Sequence, residues 1–362
     1  MLHHDLSRAR LSRRALLQVA AAGAAATALP RAAAARRAEA PSFPKPSYVN
    51  TNGIRMAVYE AGAGVPVVFS HGFPELAYSW RHQLPALAGA GFHAIAPDQR
   101  GYGNTQRPVE IEAYGIRDLC DDLVGMLDAK GIDKAVFCGH DWGGGVVWNM
   151  ALLHPKRVLG VIGVNTAFGP PAPGPPIELL RRMRGDDNYV VAFQTPGVAE
   201  AVLEADVRKV FVMLLRRGMW DAEEFAKLPP DDPQRKFQLL ELLKAPVDEA
   251  LLPGEPLLNE EELQVFVSTF ERTGFAGGIN WYRNIDRNWR AMRNLDYHIE
   301  QPCLYVGAED DIVLPPSSAN GLERIAPKVE KVTIPDCGHW TQQEKPAELN
   351  RILIDWLRKT FA

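Results

Sequence analysis

Short apolar runs alternate along much of the chain with longer amphipathic stretches. Two strand-like runs flank Asn52-Gly53, a dipeptide typical of a tight turn. Further apolar runs predict strands at 65–70, 92–96, 134–138 and 158–164, and amphipathic periodicity predicts helices near 79–90, 116–129 and 144–153. Strands that alternate with helices indicate βαβ units and a parallel sheet.

This alternation stops at Phe168, where a Pro- and Gly-rich stretch opens a mainly helical segment. The strand pattern returns at 303–306 and 329–334, with helices predicted near 317–325 and 347–360. We therefore predict an α/β core formed by residues 41–167 and 296–362, with a helical cap domain inserted at 168–295.

Composition restricts the class of protein. The chain has 362 residues, of which 46% are hydrophobic and 23% are charged, which is the balance of an ordinary globular protein. The formal net charge of -4 gives no sign of the clustered basic surface that nucleic-acid binding requires. We expect a small neutral substrate and no nucleic-acid partner.

The N-terminus differs from the rest of the chain. Ser12-Arg13-Arg14 precedes the apolar run 15–29, and a small-residue step, Ala38-Glu39-Ala40, follows. This order predicts an export signal at residues 1–40, and the paired arginines favour the twin-arginine type. A tail without regular structure or an uncleaved membrane anchor is the alternative. No later apolar stretch is long enough to predict a membrane span.

No metal or cofactor motif is present in the sequence. The four cysteines are too scattered for a disulfide framework or a metal site: Cys120, Cys138, Cys303 and Cys337. His140, His154 and His298 lack the spacing of metal ligands, and His140 is expected to orient the turn next to it. The glycines of 99–103 do not form a dinucleotide fingerprint. We expect no metal and no cofactor.

Asp141 lies in a candidate nucleophile position. The strand at 134–138 leads into Gly139-His140-Asp141-Trp142-Gly143, and a helix follows. Small residues two positions before and after a polar residue allow the sharp strand-to-helix turn called a nucleophile elbow. Taken alone, the motif is equally compatible with an aspartate that caps the helix.

An acid and a histidine follow in the order that this turn requires. Asp311 follows the strand at 303–306, and His339 follows the strand at 329–334. Loops after the carboxyl ends of parallel strands converge at one edge of the sheet, where active sites of open α/β sheets lie. Asp310 is the alternative to Asp311 as the acid.

An aspartate in the nucleophile position restricts the reaction. A serine that attacked a saturated carbon would form an ether, which water does not readily cleave. An aspartate would form an ester, whose carbonyl an activated water can attack. Epoxides and alkyl halides are the obvious electrophiles.

The chain resembles the epoxide hydrolases of the α/β-hydrolase family from about Phe43 to the C-terminus. Five segments carry this resemblance: His71-Gly72-Phe73-Pro74, Gly139–Gly144, Phe193–Glu200, Asn280–Asn284 and Gly338–Gln342. It implies an eight-stranded, mostly parallel sheet with a helical cap, and it implies hydrolysis of an epoxide to a vicinal diol. The substrates expected are a small apolar epoxide and water.

The resemblance also assigns roles to individual residues. Tyr189 and Tyr282 of the cap correspond to the two tyrosines that protonate the epoxide oxygen. Backbone N–H groups of Phe73 and Trp142 form the oxyanion hole, and the family alignment favours Asp311 over Asp310 as the acid. Three further residues are expected to contact substrate: Trp340, Phe193 and Leu314.

Two alternatives remain on sequence grounds. A haloalkane dehalogenase shares an Asp-Trp elbow and would bind halide with Trp142, although it has no need of two acidic cap tyrosines. A non-catalytic small-molecule receptor on the same fold would not need the complete set of Asp141, Asp311 and His339. The sequence predicts an exported monomer or homodimer.

Overall fold

The structure is a computed structural model that describes residues 43–219 and 221–361. The predicted export signal at residues 1–40 lies outside the described residues. From Phe43 onward the chain forms one compact unit.

Eight of the ten strands in residues 43–219 and 221–361 form one sheet. The strands are, in chain order, β1 (Ser47–Thr51), β2 (Ile54–Ala61), β3 (Val65–Ser70), β4 (Phe92–Pro97), β5 (Ala135–His140), β6 (Val158–Val164), β7 (Arg216–Arg217), β8 (Glu255–Pro256), β9 (Cys303–Ala308) and β10 (Val329–Ile334). The sheet has the order β1-β2-β4-β3-β5-β6-β9-β10, and β7 pairs only with β8. β2 is antiparallel to both of its neighbours, and every other pair in the large sheet is parallel. The predicted α/β-hydrolase fold with a mostly parallel eight-stranded sheet is confirmed.

The turn between β1 and β2 follows from its sequence. Asn52 and Gly53 both have positive φ, at 43° and 76°. The two-residue turn that matches the twist of a hairpin needs left-handed backbone at both positions, which Asn and Gly tolerate best.

Fourteen α-helices occur in the described part of the chain. They are α1 (Gln83–Gly89), α2 (Ile116–Ala129), α3 (Trp142–Leu153), α4 (Pro176–Arg184), α5 (Tyr189–Ala192), α6 (Val198–Leu203), α7 (Val207–Leu214), α8 (Ala222–Lys227), α9 (Leu239–Lys244), α10 (Glu260–Thr273), α11 (Ala276–Arg283), α12 (Ile285–Met292), α13 (Thr341–Glu344) and α14 (Pro346–Phe361). None of the described helices is long and apolar enough to cross a membrane.

The central strands and α3 form the middle of the core. β5 is buried at every position, as its continuous apolar run predicts for a strand covered on both faces. α3 packs on β5, β6 and α2 and buries Val146, Val147 and Trp148. Because α3 is apolar on most sides, its position is fixed by core packing, and the turn before it is held in place.

Helices α4 to α12 occupy the interval between β6 and β9, within the segment predicted to form the cap. α10 packs on α7, α6 packs on α9, and α12 packs on α4. Aromatic side chains fill this region, including Phe211, Phe266, Phe270 and Phe275, which contact one another in a single cluster. The predicted domain boundaries themselves stay a prediction.

Two predicted helices differ from the structure. The segment near 317–325 is not an α-helix but two short 3-10 turns, Pro316–Ala319 and Leu322–Arg324. Gly321, which has a φ of 85°, separates them, because a left-handed residue interrupts a right-handed helix. The segment near 79–90 is likewise divided into the 3-10 turn Ala77–Trp80 and α1.

Candidate active site

The turn at Asp141 is sharper than the sequence predicts. β5 continues to His140 and α3 begins at Trp142, so that Asp141 alone connects strand to helix. Its φ is 53°, which is strained for a residue with a side chain. The carboxylate does not cap α3 by a hydrogen bond. This geometry therefore argues against the interpretation of Asp141 as a side chain that caps α3.

The glycines around Asp141 are required by close backbone contacts. A Cβ on Gly139 would collide with the carbonyl of Gly143, and a Cβ on Gly143 would collide with the carbonyl of Ser70. A Cβ on Gly72 would collide with the Asp141 carboxylate itself. The absence of side chains at these positions is what lets the loop after β3 approach the turn.

That loop supplies a donor to the carboxylate. The backbone N–H of Phe73 donates to Asp141 Oδ1 at 2.9 Å. Trp142, the first residue of α3, has one of the N–H groups that a helix N-terminus leaves unpaired. Among the described residues no hydrogen bond joins that N–H to the Asp141 carboxylate. The Phe73 half of the predicted oxyanion hole thus points at the carboxylate, and the role of Trp142 stays a prediction.

His339 lies between the two aspartates. Its Nδ1 is 3.0 Å from Asp311 Oδ2, and its Nε2 is 3.8 Å from Asp141 Oδ2. The first distance is a hydrogen bond, while the second is too long for a good one. The structure therefore brings all three residues together, with the predicted base between the predicted nucleophile and the predicted acid.

Asp311, and not Asp310, contacts the imidazole. Its Oδ1 accepts the backbone N–H groups of Val313 and Leu314 at 2.8 and 2.9 Å, and its Oδ2 also accepts Asn165 Nδ2–H at 2.8 Å. Burial would raise the pKa of Asp311, but His339 and these donors lower it to about 2. The acid is therefore ionised at neutral pH.

The carboxylates near His339 make its imidazole more basic. Burial would lower the pKa of His339, but the negative charge of Asp311 raises it to about 9, with smaller contributions from Asp141 and Glu75. Because two of these three carboxylates lie in contact with the ring, loss of either negative charge would lower that pKa.

The predicted cap tyrosines face the same carboxylate. Tyr189 begins α5 and Tyr282 lies on α11, and their ring centroids are 5.8 Å apart. Burial raises the pKa of Tyr189, as does the charge of Asp141, and a hydrogen bond with Tyr282 partly offsets this. Burial also raises the pKa of Tyr282, to which the Trp142 side chain is hydrogen-bonded. Both hydroxyl groups therefore keep their protons at neutral pH.

A mainly apolar cavity of about 180 Å³ joins these groups. Asp141, His339, Tyr189 and Tyr282 all line it. The remaining wall is largely aliphatic and aromatic, with Met213, Met219, Phe237, Leu239, Leu242, Ile312 and Val313. A small apolar molecule could reach the carboxylate here.

The predicted substrate contacts have different positions. Trp340 lines the cavity, and its Nε1–H donates to the Leu214 carbonyl at 2.6 Å. Phe193 is fully buried and packs against Phe73 and Tyr282, so it supports the wall from behind. Leu314 contributes its N–H to Asp311 instead of a cavity surface.

A buried hydrogen-bond network supports the site, and the sequence interpretation gave a role to only one of its members, His140. Glu75 Oε2 lies 2.9 Å from His140 Nδ1, and Gln342 Nε2–H donates to Glu75 Oε1 at 2.6 Å. His140 Nε2–H then donates to the backbone carbonyl of His339 at 2.7 Å. Burial would raise the pKa of Glu75, but His140 and the Gly72 N–H lower it to about 2. This network connects the loop after β3, the elbow and the histidine loop.

The signal for this network was present in the sequence. Glu75 adjoins the His71–Pro74 motif and Gln342 ends the Gly338–Gln342 motif, but only tertiary contact shows that they meet. In the part of the chain that the structure describes, no group of His, Cys, Asp and Glu side chains could hold a metal ion. The four cysteines, all described, are buried and unpaired.

Comparison with known proteins shows the family of this chain. A family model for the alpha/beta hydrolase fold matches residues 65–216 and 222–346. Epoxide hydrolase A of Mycobacterium tuberculosis is 42% identical over 326 residues, which cover 87% of this chain and 97% of that protein. Bifunctional epoxide hydrolase 2 of Rattus norvegicus is 43% identical over 84% of this chain, which spans 54% of the rat protein. The chain thus spans about half the length of the mammalian relatives that it matches.

Solved structures give the same result. Epoxide hydrolase A from Mycobacterium thermoresistibile superposes with a TM-score of 0.75 at 41% identity, covering 87% of this chain and 98% of that chain. Epoxide hydrolase VrEH1 from Vigna radiata superposes with a TM-score of 0.75 at 32% identity.

Proposed function

The chain belongs to the epoxide hydrolases of the α/β-hydrolase fold family, and from this membership we propose that it converts an epoxide and water into a vicinal diol through an ester on Asp141. The observation that carries the proposal is the convergence of the elbow carboxylate, two protonated tyrosine hydroxyls and the Asp311–His339 pair on one apolar cavity.

In the first step, Asp141 attacks a carbon of the epoxide. The N–H of Phe73 holds Oδ1, which leaves Oδ2 to form the new C–O bond. The strained C–O bond of the ring breaks, and its oxygen takes a proton from Tyr189 or Tyr282. Burial raises the pKa of both phenols, but a released alkoxide is still more basic than a phenolate, so this proton transfer is favourable. General acids of this kind contribute roughly a hundred- to ten-thousandfold in rate.

In the second step, His339 removes a proton from water. The resulting hydroxide attacks the carbonyl carbon of the ester, and the N–H of Phe73 stabilises the oxyanion. One such donor is worth about 3 kcal/mol. The ester C–O bond then breaks, the diol oxygen receives the proton of the hydroxyl that was added to the carbonyl carbon, and the proton held by His339 returns to the tyrosine that lost one. Epoxide and water are consumed, and Asp141 regains a carboxylate with one oxygen from water.

The apolar lining supports a small apolar epoxide as substrate. Met213, Leu239 and Leu242 offer no charge to a polar substituent, and burial of apolar surface is the main available source of affinity.

Oxygen labelling tests the two-step route. A single turnover in heavy-oxygen water, with enzyme in excess over a small epoxide such as styrene oxide, should give unlabelled diol and a label in Asp141. Later turnovers should give labelled diol. A label in the diol of the first turnover would exclude Asp141 as the nucleophile.

A trapping experiment isolates the base. The variant His339→Gln removes the base but keeps the nucleophile, so the intact protein should gain the mass of the epoxide and retain it. Asp141→Asn is the matched control, since it lacks the nucleophile and should gain no mass. Consumption of epoxide by His339→Gln without any adduct would contradict the mechanism.

Export through a twin-arginine signal is a second part of the proposal. It is supported by the order of Arg13-Arg14, the apolar run 15–29 and the small residues near Ala40. A cell that exports this enzyme would hydrolyse epoxides outside its cytoplasm.

A further inference from the structure

The two residues that follow β6 contact both parts of the catalytic machinery. Asn165 Nδ2–H donates to Asp311 Oδ2 at 2.8 Å. The hydroxyl of Thr166 donates to the backbone carbonyl of Asp141 at 2.9 Å. Adjacent residues thus hold the acid on one side and the nucleophile turn on the other.

Sheet topology explains how one dipeptide reaches both. β6 lies between β5, which ends next to Asp141, and β9, which ends shortly before Asp311. The backbone N–H of Asn165 continues the pairing with β9 by donating to the Val306 carbonyl at 2.7 Å. The loop after the middle strand therefore has the nucleophile turn and the acid loop as its two neighbours.

Asn165 has two costly features. Its φ is 60°, and its fully buried amide Oδ1 has no hydrogen-bond partner among the described residues. A left-handed backbone is tolerated by Asn, Asp and Gly better than by other residues. Burial of an unpaired polar atom is unfavourable, so stability alone does not account for an asparagine here.

The Asn165 amide and the backbone donors of Val313 and Leu314 bind different oxygens of Asp311. Val313 and Leu314 bind only Oδ1 of Asp311, whereas Oδ2 is shared between Asn165 and His339. Without the Asn165 side chain, His339 would be the only group hydrogen-bonded to Oδ2. The negative charge on Oδ2 would then attract the His339 Nδ1–H more strongly. The second donor therefore limits how strongly the acid holds the imidazolium.

We propose that Asn165 and Thr166 are positioning residues of the two-step reaction, an inference that rests on the proposed function. Asn165 sets the orientation of Asp311 and limits its pull on the His339 proton, and so governs ester hydrolysis. Thr166 fixes the main chain of Asp141, and so governs attack on the epoxide.

Titration of His339 tests the Asn165 half without a substrate. Four titratable groups surround the imidazole: Asp311, Asp141, Glu75 and the ring of His140. The variant Asn165→Gly tolerates the positive φ and removes only the side chain. It should raise the pKa of His339, followed by NMR, by roughly half a unit to one unit because Oδ2 loses a competing donor. Thr166→Val should leave that pKa unchanged.

The variant Asn165→Ala keeps the Cβ and is used if the glycine variant does not fold, although its left-handed backbone costs some stability. It has no amide to donate to Asp311, so it should also raise the pKa of His339. An unchanged pKa of His339 in the folded Asn165 variants would overturn the role of Asn165, whatever their thermal stability.

Rapid-quench kinetics with styrene oxide tests the division between steps. In Asn165→Gly, the acidic limb of ester hydrolysis should move to higher pH, so the alkyl-enzyme accumulates at neutral pH while attack keeps its rate. In Thr166→Val, attack should slow by about tenfold and no ester should accumulate. Thr166→Ser keeps the hydroxyl and should recover the rate of attack.

Three outcomes are decisive. Equal slowing of both steps in both variants would mean a merely structural role and would overturn the proposal. Failure of Thr166→Ser to recover the rate would overturn the role assigned to the Thr166 hydroxyl. Absence of the alkyl-enzyme in His339→Gln, which lacks the base for ester hydrolysis, would contradict the proposed function, but the titration of His339 would still decide the role of Asn165.

Discussion

The two cap tyrosines are expected to act as alternative proton donors. Tyr189→Phe and Tyr282→Phe should each slow epoxide opening, and the double variant should lose roughly a hundred- to ten-thousandfold in the rate of attack. The two rings are neighbours, with centroids 5.8 Å apart, and burial raises the pKa of both hydroxyls. Both hydroxyls are therefore protonated, and either one can donate. Burst-phase measurement of the alkyl-enzyme would give the rate.

Tyr48→Phe is the matched control. Tyr48 is exposed on β1, so this substitution removes a phenol hydroxyl far from the catalytic residues. It should leave the rate unchanged. Full activity of the double variant toward epoxides would instead favour the dehalogenase alternative, which does not need these hydroxyls.

The two steps should depend differently on pH, because only ester hydrolysis needs the His339 imidazole as a base. Only neutral His339 can take a proton from water, and Asp311, Asp141 and Glu75 hold its pKa at about 9 in the free enzyme. Ester formation removes the negative charge of Asp141, so the pKa falls and the acidic limb of hydrolysis lies below pH 9.

Acidification through that limb protonates the base and slows ester hydrolysis, whereas epoxide opening is unaffected because both tyrosines are already protonated in the free enzyme. The steady-state fraction of alkyl-enzyme should therefore rise as the pH falls from about 9 toward about 5. Intact-protein mass spectrometry of acid-quenched samples measures this fraction. A fraction that stays constant or falls on acidification would contradict the role of His339 as the base.

At the scale of elements, the position of Tyr282 depends on how α11 packs against the core. Trp281 Nε1–H donates to the Arg100 carbonyl at 3.1 Å, and the Arg100 guanidinium is paired with Asp122 of α2 at 2.6 Å. Gly101 and Gly277 allow the two backbones to touch, since a Cβ on Gly277 would collide with the Gly101 carbonyl.

The variant Gly277→Ala should displace α11 and slow epoxide opening by about tenfold, because the Tyr282 hydroxyl moves relative to Asp141. Ester hydrolysis should change less, since it does not use that hydroxyl for attack. Gly89→Ala is the matched control, as it also adds a methyl group to a helical glycine but meets open space. Equal effects of the two substitutions on epoxide opening would argue against this packing requirement.

At the scale of the whole molecule, the proposed export depends on the first forty residues. Changing Arg13 and Arg14 together to Lys should block export of a fusion reporter if the signal is of the twin-arginine type. Changing Arg36 and Arg37 to Lys is the matched control, because that pair follows the apolar run and should not affect export. Undiminished export of the first variant, measured by reporter activity outside the cytoplasm, would reject this assignment.

The sequence alone determined the parallel sheet, the elbow and the order of nucleophile, acid and base. These features are local: a continuous apolar run predicts a buried strand, and glycines around Asp141 predict a tight turn. Even the ends of α2 and β6 agree with the predicted ranges 116–129 and 158–164. Resemblance to a family, not periodicity, identified Tyr189 and Tyr282.

Only the tertiary structure decided which polar groups meet. Glu75 and Gln342 are 267 positions apart and share a hydrogen bond, and Asn165 reaches Asp311 over 146 positions. No local pattern marks such pairs, because their contact depends on the order of strands in the sheet. The same holds for Leu314, whose backbone holds the acid while its neighbours Ile312 and Val313 line the cavity. The sequence determines the chemistry available to each side chain, and tertiary packing decides which other group that side chain contacts.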